Sequence, residues 1–207
     1  PIDFIPVYEK SGLISRLDRY IWEQAAAKLG EWKKVGINMS ISVNISPKDF
    51  YYIDIFNTFA GLVKKYDIEP SNLKIEITET TIMSDVPNLM GELEELRKAG
   101  FTIEMDDFGS GYSSLNTLKD INVDVLKVDM GFIKETKNVK KSRIILASVI
   151  KMAKELNLLI ITEGVETEEQ VDNLTKLGCD VFQGCYFSKA IDVNEFEKRY
   201  LYRKKAG

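Results

Sequence analysis

Side chains that bind metal ions or handle phosphate stand at the ends of several strand-like segments. They are carboxylates, amides and one lysine: Asn44, Glu76, Asp106, Asp107, Lys127, Glu163 and Gln183. The set is rich in oxygen donors and has no imidazole or paired thiol, which favours hard cations such as Mg²⁺ or Mn²⁺ over zinc. A lysine among carboxylates can steady phosphate charge or orient an attacking water. The inventory fits metal-assisted hydrolysis of a phosphodiester.

Each of these residues, taken singly, is more simply explained as a solvated strand end or a cap. Asn44 lies three residues before Pro47 and could belong to a turn. Lys127 could be a plain salt-bridge partner. The pair Asp106-Asp107 is a stronger signal, because adjacent carboxylates after an apolar strand repel each other unless a positive charge lies between them.

Composition excludes several classes of chemistry. The chain of 207 residues contains no histidine, so a Ser-His-Asp or Cys-His nucleophile and a histidine general base are ruled out. The net charge of -4 argues against sequence-independent binding of DNA or RNA. Cys179 and Cys185 lack metal or redox spacing and predict buried, reduced thiols in a cytoplasmic protein. No apolar run reaches the ~18 residues of a membrane span.

Strand-like and helical patterns alternate along the whole chain, which predicts one α/β domain with a mostly parallel sheet. The predicted strands are 39–45, 73–78, 101–106, 123–128, 158–161 and 180–183, and the main predicted helices are 14–29, 47–65, 86–99, 141–156 and 167–177. An α/β barrel and an open doubly wound sheet are the two candidates. The open sheet is weakened because no glycine-rich fingerprint opens a helix after the first strand. In a barrel the carboxyl ends of the strands share one face, so the polar residues would converge there.

A small, polar loop follows the two aspartates. Its residues are Phe108-Gly109-Ser110-Gly111-Tyr112-Ser113-Ser114. The loop is interpreted either as a mobile lid that contacts phosphate or merely as a turn before the next helix. Thr78 and Glu79, one strand end away, could anchor it.

Several short motifs, in order along most of the chain, resemble the EAL-domain family of bacterial cyclic di-GMP phosphodiesterases. The matching segments are Phe4-Ile5-Pro6 with Gly12-Leu13-Ile14, Ser42 to Ser46, Glu76 to Glu79, Asp106 to Ser114, Leu126 to Asp129, Glu163 to Glu166 and Gln183-Gly184. The combination of DDFG-x-GYSS with EGVE is highly specific.

This resemblance implies a TIM-like (β/α)8 barrel that hydrolyses cyclic di-GMP to the linear dinucleotide pGpG with Mg²⁺ or Mn²⁺. It assigns the metal shell to Asn44, Glu76, Asp106, Asp107 and Glu163. It assigns catalysis to Lys127, which would position the attacking water, together with Glu163, Gln183 and Asp107. By the same resemblance, Glu79 holds the 107–114 loop. Substrate contacts fall on Asp129, Gly109 and Ser110.

The sequence also departs from the family pattern. The Glu-Ala-Leu motif, which belongs to the first strand, does not occur ahead of Phe4-Ile5-Pro6. We therefore expect residues 1–207 to be an N-terminally incomplete EAL domain whose barrel lacks its first strand. On its own, this chain should be weakly active or inactive, whereas the parent protein should be active. The alternatives are an inactive receptor for cyclic di-GMP or a protein-interaction module, and another metal-dependent barrel hydrolase.

The resemblance also predicts the setting of the domain. We expect a homodimer, partly because a barrel that lacks a strand exposes open sheet edges. The parent would be a longer multidomain protein, cytoplasmic or tethered to a membrane, with sensory or GGDEF domains in the same chain.

Overall fold

The computed structural model describes residues 4–84, 88–109, 118–119, 121–131, 139–179 and 181–202. Six strands form one parallel sheet in this part of the chain. Their bounds are β1 Ile41–Asn44, β2 Leu73–Thr78, β3 Ile103–Phe108, β4 Val125–Asp129, β5 Leu159–Glu163 and β6 Val181–Phe182. Each strand pairs in parallel with the next one along the chain, so the order is β1-β2-β3-β4-β5-β6.

Helices surround this sheet. Their bounds are α1 Ile5–Ser11, α2 Ile14–Lys34, α3 Asp49–Tyr52, α4 Ile55–Tyr66, α5 Glu79–Met83, α6 Leu89–Lys98, α7 Val139–Glu155, α8 Glu168–Leu177 and α9 Val193–Phe196. A 3₁₀ turn spans Pro70–Asn72, and a π-helical turn spans Glu197–Leu201. No helix in the described ranges has both the length and the apolar character to cross a membrane.

The strand order identifies a barrel rather than an open sheet. A doubly wound sheet reverses its strand order part-way, whereas here chain order and spatial order agree throughout. Right-handed crossovers then place the helices on one side of a curling sheet. In β2, Leu73, Ile75 and Ile77 are fully buried on one face, while the side chains between them are only partly buried. The fold is thus a TIM-like barrel, incomplete in its six described strands, which confirms the predicted fold class.

The C-terminal segment packs back on α2. The Trp32 indole N–H donates to Glu197 Oε1 over 2.8 Å, and its ring lies 5.9 Å from that of Phe196. Lys28 Nζ lies 3.4 Å from the same Glu197 oxygen. These contacts join the helix that precedes β1 to the segment that follows β6.

Three local predictions were wrong. The helix predicted over 47–65 divides into α3 and α4, because Ile53 is extended and the Asp54 side chain caps α4 by accepting the N–H of Asn57. Neither α1 nor α5 was predicted, since both are too short to show a periodic apolar face. Cys179 is buried as expected, but Cys185 is exposed.

Candidate active site

Lys127 lies at the centre of the polar residues at the carboxyl ends of the strands. Its Nζ is 2.8 Å from Glu76 Oε1, 2.9 Å from Glu163 Oε1 and 3.2 Å from Asp106 Oδ1. Lys127 comes from β4, and its three partners come from the ends of β2, β3 and β5. The lysine itself is only 4% exposed. The sheet thus brings together side chains that are distant in sequence, as expected for the end of a barrel.

Asn44 joins this cluster from the end of β1. Its Nδ2 donates to Glu76 Oε2 over 3.2 Å, and the two residues are register partners in the sheet. Glu76 therefore has one carboxylate oxygen on the lysine and the other on the asparagine amide. Because the amide N–H is the group that donates, the amide oxygen of Asn44, which has no hydrogen bond to any described residue, can ligate a cation.

A β-bulge orients the two adjacent aspartates. The register between β3 and β4 shifts between Met105 and Phe108, and Asp107 adopts a left-handed φ of 57°. A regular strand would send Asp106 and Asp107 to opposite faces, whereas a bulge redirects a side chain. The backbone N–H of Asp107 donates to Asp106 Oδ1 over 2.9 Å, which fixes the first carboxylate.

Burial and mutual repulsion shape the titration of these carboxylates. Desolvation raises the pKa of Glu76 and of Glu163 above their ordinary values, although Lys127 opposes the shift. Desolvation also raises the pKa of Asp107, with further contributions from the charges of Asp106 and Asp129. The site therefore carries more negative charge than its one lysine neutralises.

Lys127 itself stays protonated. Burial lowers the pKa of its ammonium, but its hydrogen bond to Glu76 and the negative charges of Glu76 and Glu163 outweigh that effect and raise the pKa above its ordinary value. The contact with Glu163 is close, yet Glu163 Oε1 is buried and accepts no hydrogen bond of good geometry among the described residues. This oxygen is the incompletely satisfied acceptor of the cluster.

Most of the remaining predicted site residues lie within the described structure. Asp129 lies beside Glu163 in the register of β4 and β5, where its Oδ1 accepts the N–H of Gly131 over 2.7 Å. Glu79 is buried at the start of α5, next to the end of β2. Gly109 directly follows the bulged strand with a φ of 95°. Ser110, and with it most of the predicted 107–114 loop, lies outside the described residues.

Gln183 comes to the same end of the sheet, but its side chain is exposed and no described contact ties it to Lys127. Its backbone is tightly held: its N–H donates to Thr162 over 2.8 Å, and its carbonyl accepts the N–H of Val165 over 3.1 Å. Gly184 permits this approach, because a Cβ there would lie 2.0 Å from the Val165 carbonyl oxygen. The turn after β6 is therefore fixed against the turn after β5.

A second polar layer, which was not predicted from the sequence, lies one pleat below this cluster. Glu104 is fully buried, accepts the Ser42 hydroxyl over 2.8 Å and pairs with Lys74 Nζ at 2.9 Å. These residues stand two positions before Asn44, Glu76 and Asp106 in the chain. The sequence did contain a signal for this layer, because the alternation of β3 places the charged Glu104 on the same inner face as Asp106, two residues earlier.

The donor set fits a hard divalent cation. The ligating atoms available at the strand ends are carboxylate oxygens and one amide oxygen, and the negative charge exceeds the positive charge there. In the described ranges no three acidic, histidine or cysteine side chains converge in a metal-binding arrangement. The carboxylates converge instead on the Lys127 ammonium.

Comparison with known proteins identifies the family. The model of the EAL domain matches residues 1–190. The chain belongs to the EAL-domain family. It is 37% identical over 196 residues to the bifunctional diguanylate cyclase/cyclic di-GMP phosphodiesterase MucR of Pseudomonas aeruginosa, covering 94% of this chain and 29% of MucR. It is 32% identical over 206 residues to the cyclic di-GMP phosphodiesterase PdeR of Escherichia coli, covering 98% of this chain and 31% of PdeR.

Solved structures agree with this assignment. The PaMucR phosphodiesterase in complex with c-di-GMP superposes with a TM-score of 0.87 at 34% identity, covering 95% of this EAL domain and 80% of that chain. The EAL domain spans less than a third of the length of MucR and PdeR, the curated relatives named above. The resemblance predicted from the motifs is confirmed.

Proposed function

We propose that this EAL domain hydrolyses cyclic di-GMP to pGpG in a metal-dependent reaction. The observation that carries the proposal is the convergence of Glu76, Asp106 and Glu163 on one buried lysine, each at the end of its own strand. Support also comes from MucR and PdeR, whose names include cyclic di-GMP phosphodiesterase activity.

The proposed metal shell consists of Asn44, Glu76, Asp106, Asp107 and Glu163. These residues would hold Mg²⁺ or Mn²⁺, which suit oxygen donors. When bound, the cation would neutralise phosphate charge and lower the pKa of water. The surplus of carboxylates over ammonium groups at the strand ends is what such a cation would offset.

Lys127 acts in this proposal as a donor that orients the attacking water. Its raised pKa keeps it protonated, so it is not a base. A carboxylate must then accept the proton that water loses. Glu163 is placed for this role, because its Oε1 lies 2.9 Å from the Lys127 ammonium that would orient the water, and desolvation raises its pKa.

The other assignments from the motifs are part of the same proposal. Catalytic roles beside the water are assigned to Asp107, a member of the metal shell, and to Gln183, and substrate contacts are assigned to Asp129, Gly109 and Ser110. Glu79 holds the 107–114 loop. A homodimer, flanking GGDEF or sensory domains and a cytoplasmic location stay predictions.

The test is formation of pGpG from cyclic di-GMP by this chain with Mn²⁺ or Mg²⁺. We expect Lys127→Met to lose at least about 100-fold of the turnover. Lys74→Met is the matched control, because it removes the lysine one layer below and should leave turnover within a few-fold. Binding of cyclic di-GMP without any turnover by both this chain and its parent protein would indicate a receptor and overturn the proposal.

A further inference from the structure

Trp22 of α2 makes a long-range hydrogen bond to the end of β1. Its indole Nε1–H donates to the backbone carbonyl oxygen of Asn44 over 2.9 Å. The ring is only 1% exposed and packs on Phe59, with ring centroids 4.9 Å apart. The donor is thus held rigidly by the core.

The carbonyl that Trp22 contacts faces away from β2. The N–H of Ile45 donates to the Glu76 carbonyl in β2 over 3.0 Å. Since consecutive residues of a strand present their backbone groups to opposite sides, the carbonyl of Asn44 points to the other side of β1. Strand β1 pairs with β2 alone among the described strands. On the other side of β1, the Asn44 carbonyl therefore accepts its hydrogen bond from the Trp22 indole and not from a neighbouring strand.

The chain beyond Asn44 is held as well. Asp49 is fully buried, and its Oδ2 accepts the backbone N–H of Ser46 over 2.8 Å. The chain around Asn44 is therefore held at two places. Trp22 bonds to the backbone carbonyl of Asn44 itself, and Asp49 holds the backbone N–H of Ser46 two residues later. The amide of Asn44 can meet Glu76 Oε2 only if that backbone keeps its position.

We propose that Trp22 is a positioning residue for the metal-binding side chain of Asn44. The inference rests on the proposed function, because it takes Asn44 as a member of the metal shell. Partners of metal ligands commonly change metal affinity about 10- to 100-fold when removed. Trp22 acts one step further out, through the backbone, so we expect an effect at the lower end of that range.

Trp32 provides a matched control. It lies on the same helix, is 4% exposed and donates its indole N–H to Glu197 over 2.8 Å, remote in the fold from Asn44. Trp22→Phe and Trp32→Phe therefore each remove one buried indole hydrogen bond. Only the first removal touches the proposed site.

The experiment measures Mn²⁺ affinity of the substrate-free chain by electron paramagnetic resonance of the unbound ion, together with thermal unfolding. We expect Trp22→Phe to weaken Mn²⁺ binding about tenfold, while Trp32→Phe binds like wild type. Both variants should lower the unfolding temperature. Equal Mn²⁺ affinity in Trp22→Phe and wild type, or equal weakening in both variants, would overturn the inference.

Two further arms separate the outcomes. A wild-type chain that binds no Mn²⁺ would refute the metal site of the proposed function as well. If Trp22→Phe does not fold, benzothienylalanine is incorporated in the Trp32→Phe background, where Trp22 is the single remaining tryptophan. That analogue keeps the bicyclic ring and lacks the N–H, so it should weaken Mn²⁺ binding without a packing defect; unchanged binding would contradict the inference.

Discussion

Two polar layers lie inside this barrel, one pleat apart, and they differ in how their charges balance. The lower layer has one carboxylate, Glu104, which is matched by Lys74 and by the hydroxyl of Ser42. The upper layer has one lysine, Lys127, in contact with Glu76, Asp106 and Glu163.

The difference separates a structural network from a site. In the lower layer each charge has its partner, which is the condition for a buried polar group to be tolerated. In the upper layer the carboxylates outnumber the ammonium, Asp107 sits at a left-handed φ, and Glu163 Oε1 lacks a well-formed hydrogen bond in the described structure. Backbone strain and an excess of one charge are typical of functional sites in proteins.

The largest expected effect is on turnover. Asp106→Asn should lower the rate of pGpG formation at least about 100-fold, because it removes a carboxylate from the proposed metal shell. Glu104→Gln, in the lower layer, should remain within tenfold of wild type. Comparable losses in the two variants would erase the functional distinction between the layers.

Lys127→Met should lower the free energy of unfolding without divalent cations by about 3 kcal/mol, because it leaves buried carboxylates facing one another. Lys74→Met should cost less, since Lys74 is more exposed and faces one carboxylate. Urea unfolding measures both values. Added Mn²⁺ should restore the free energy of unfolding in Lys127→Met but not in Lys74→Met. Restoration in Lys74→Met instead would place the cation in the lower layer and contradict the proposal.

Glu163→Gln should raise the free energy of unfolding, whereas most substitutions of buried residues lower it. Its folded-state pKa is raised above the ordinary 4.5, so the ionised carboxylate costs stability at neutral pH. The metal-free variant should be more stable than wild type at pH 7, and the gain should shrink as pH falls toward 4.5. A loss of stability in this variant, measured by urea unfolding across pH, would argue against an imbalanced upper layer.

The smallest effect concerns an acidic pair outside the strand-end site. Desolvation and the neighbouring Asp49 raise the pKa of Asp18 to about 7, with a further contribution from Glu9. Stability should therefore fall as pH rises from about 4 to about 7. Asp18→Asn should gain about 1 kcal/mol at pH 8 after allowance for solvent screening and leave turnover unchanged.

The control for Asp18→Asn is Asp172→Asn, at an exposed position of α8, which should leave the free energy of unfolding at pH 8 unchanged. A loss of turnover in Asp18→Asn would show that charge imbalance outside the strand ends also matters to the site.

The sequence predicted the strands and the convergence of their ends well, because period-two alternation is strong in β1, β2 and β3. It could not predict that Asp107 faces the site through a bulge, since a register shift depends on the pairing between β3 and β4. The indole bond of Trp22 was also beyond reach, because a tryptophan on an amphipathic helix is indistinguishable from a core residue until the fold is known. The break at Ile53 was missed although Asp54 carried the capping signal.

In the proposed function, the upper layer hydrolyses cyclic di-GMP with a divalent cation. The most direct measurement is a single-turnover assay with the chain in excess over labelled cyclic di-GMP, which detects slow turnover as well as fast. We expect pGpG that appears with Mn²⁺, disappears with a chelator and is absent in Asp106→Asn. Cyclic di-GMP that stays intact with Mn²⁺ in both this chain and its parent protein, or hydrolysis that survives Asp106→Asn, would contradict the proposal.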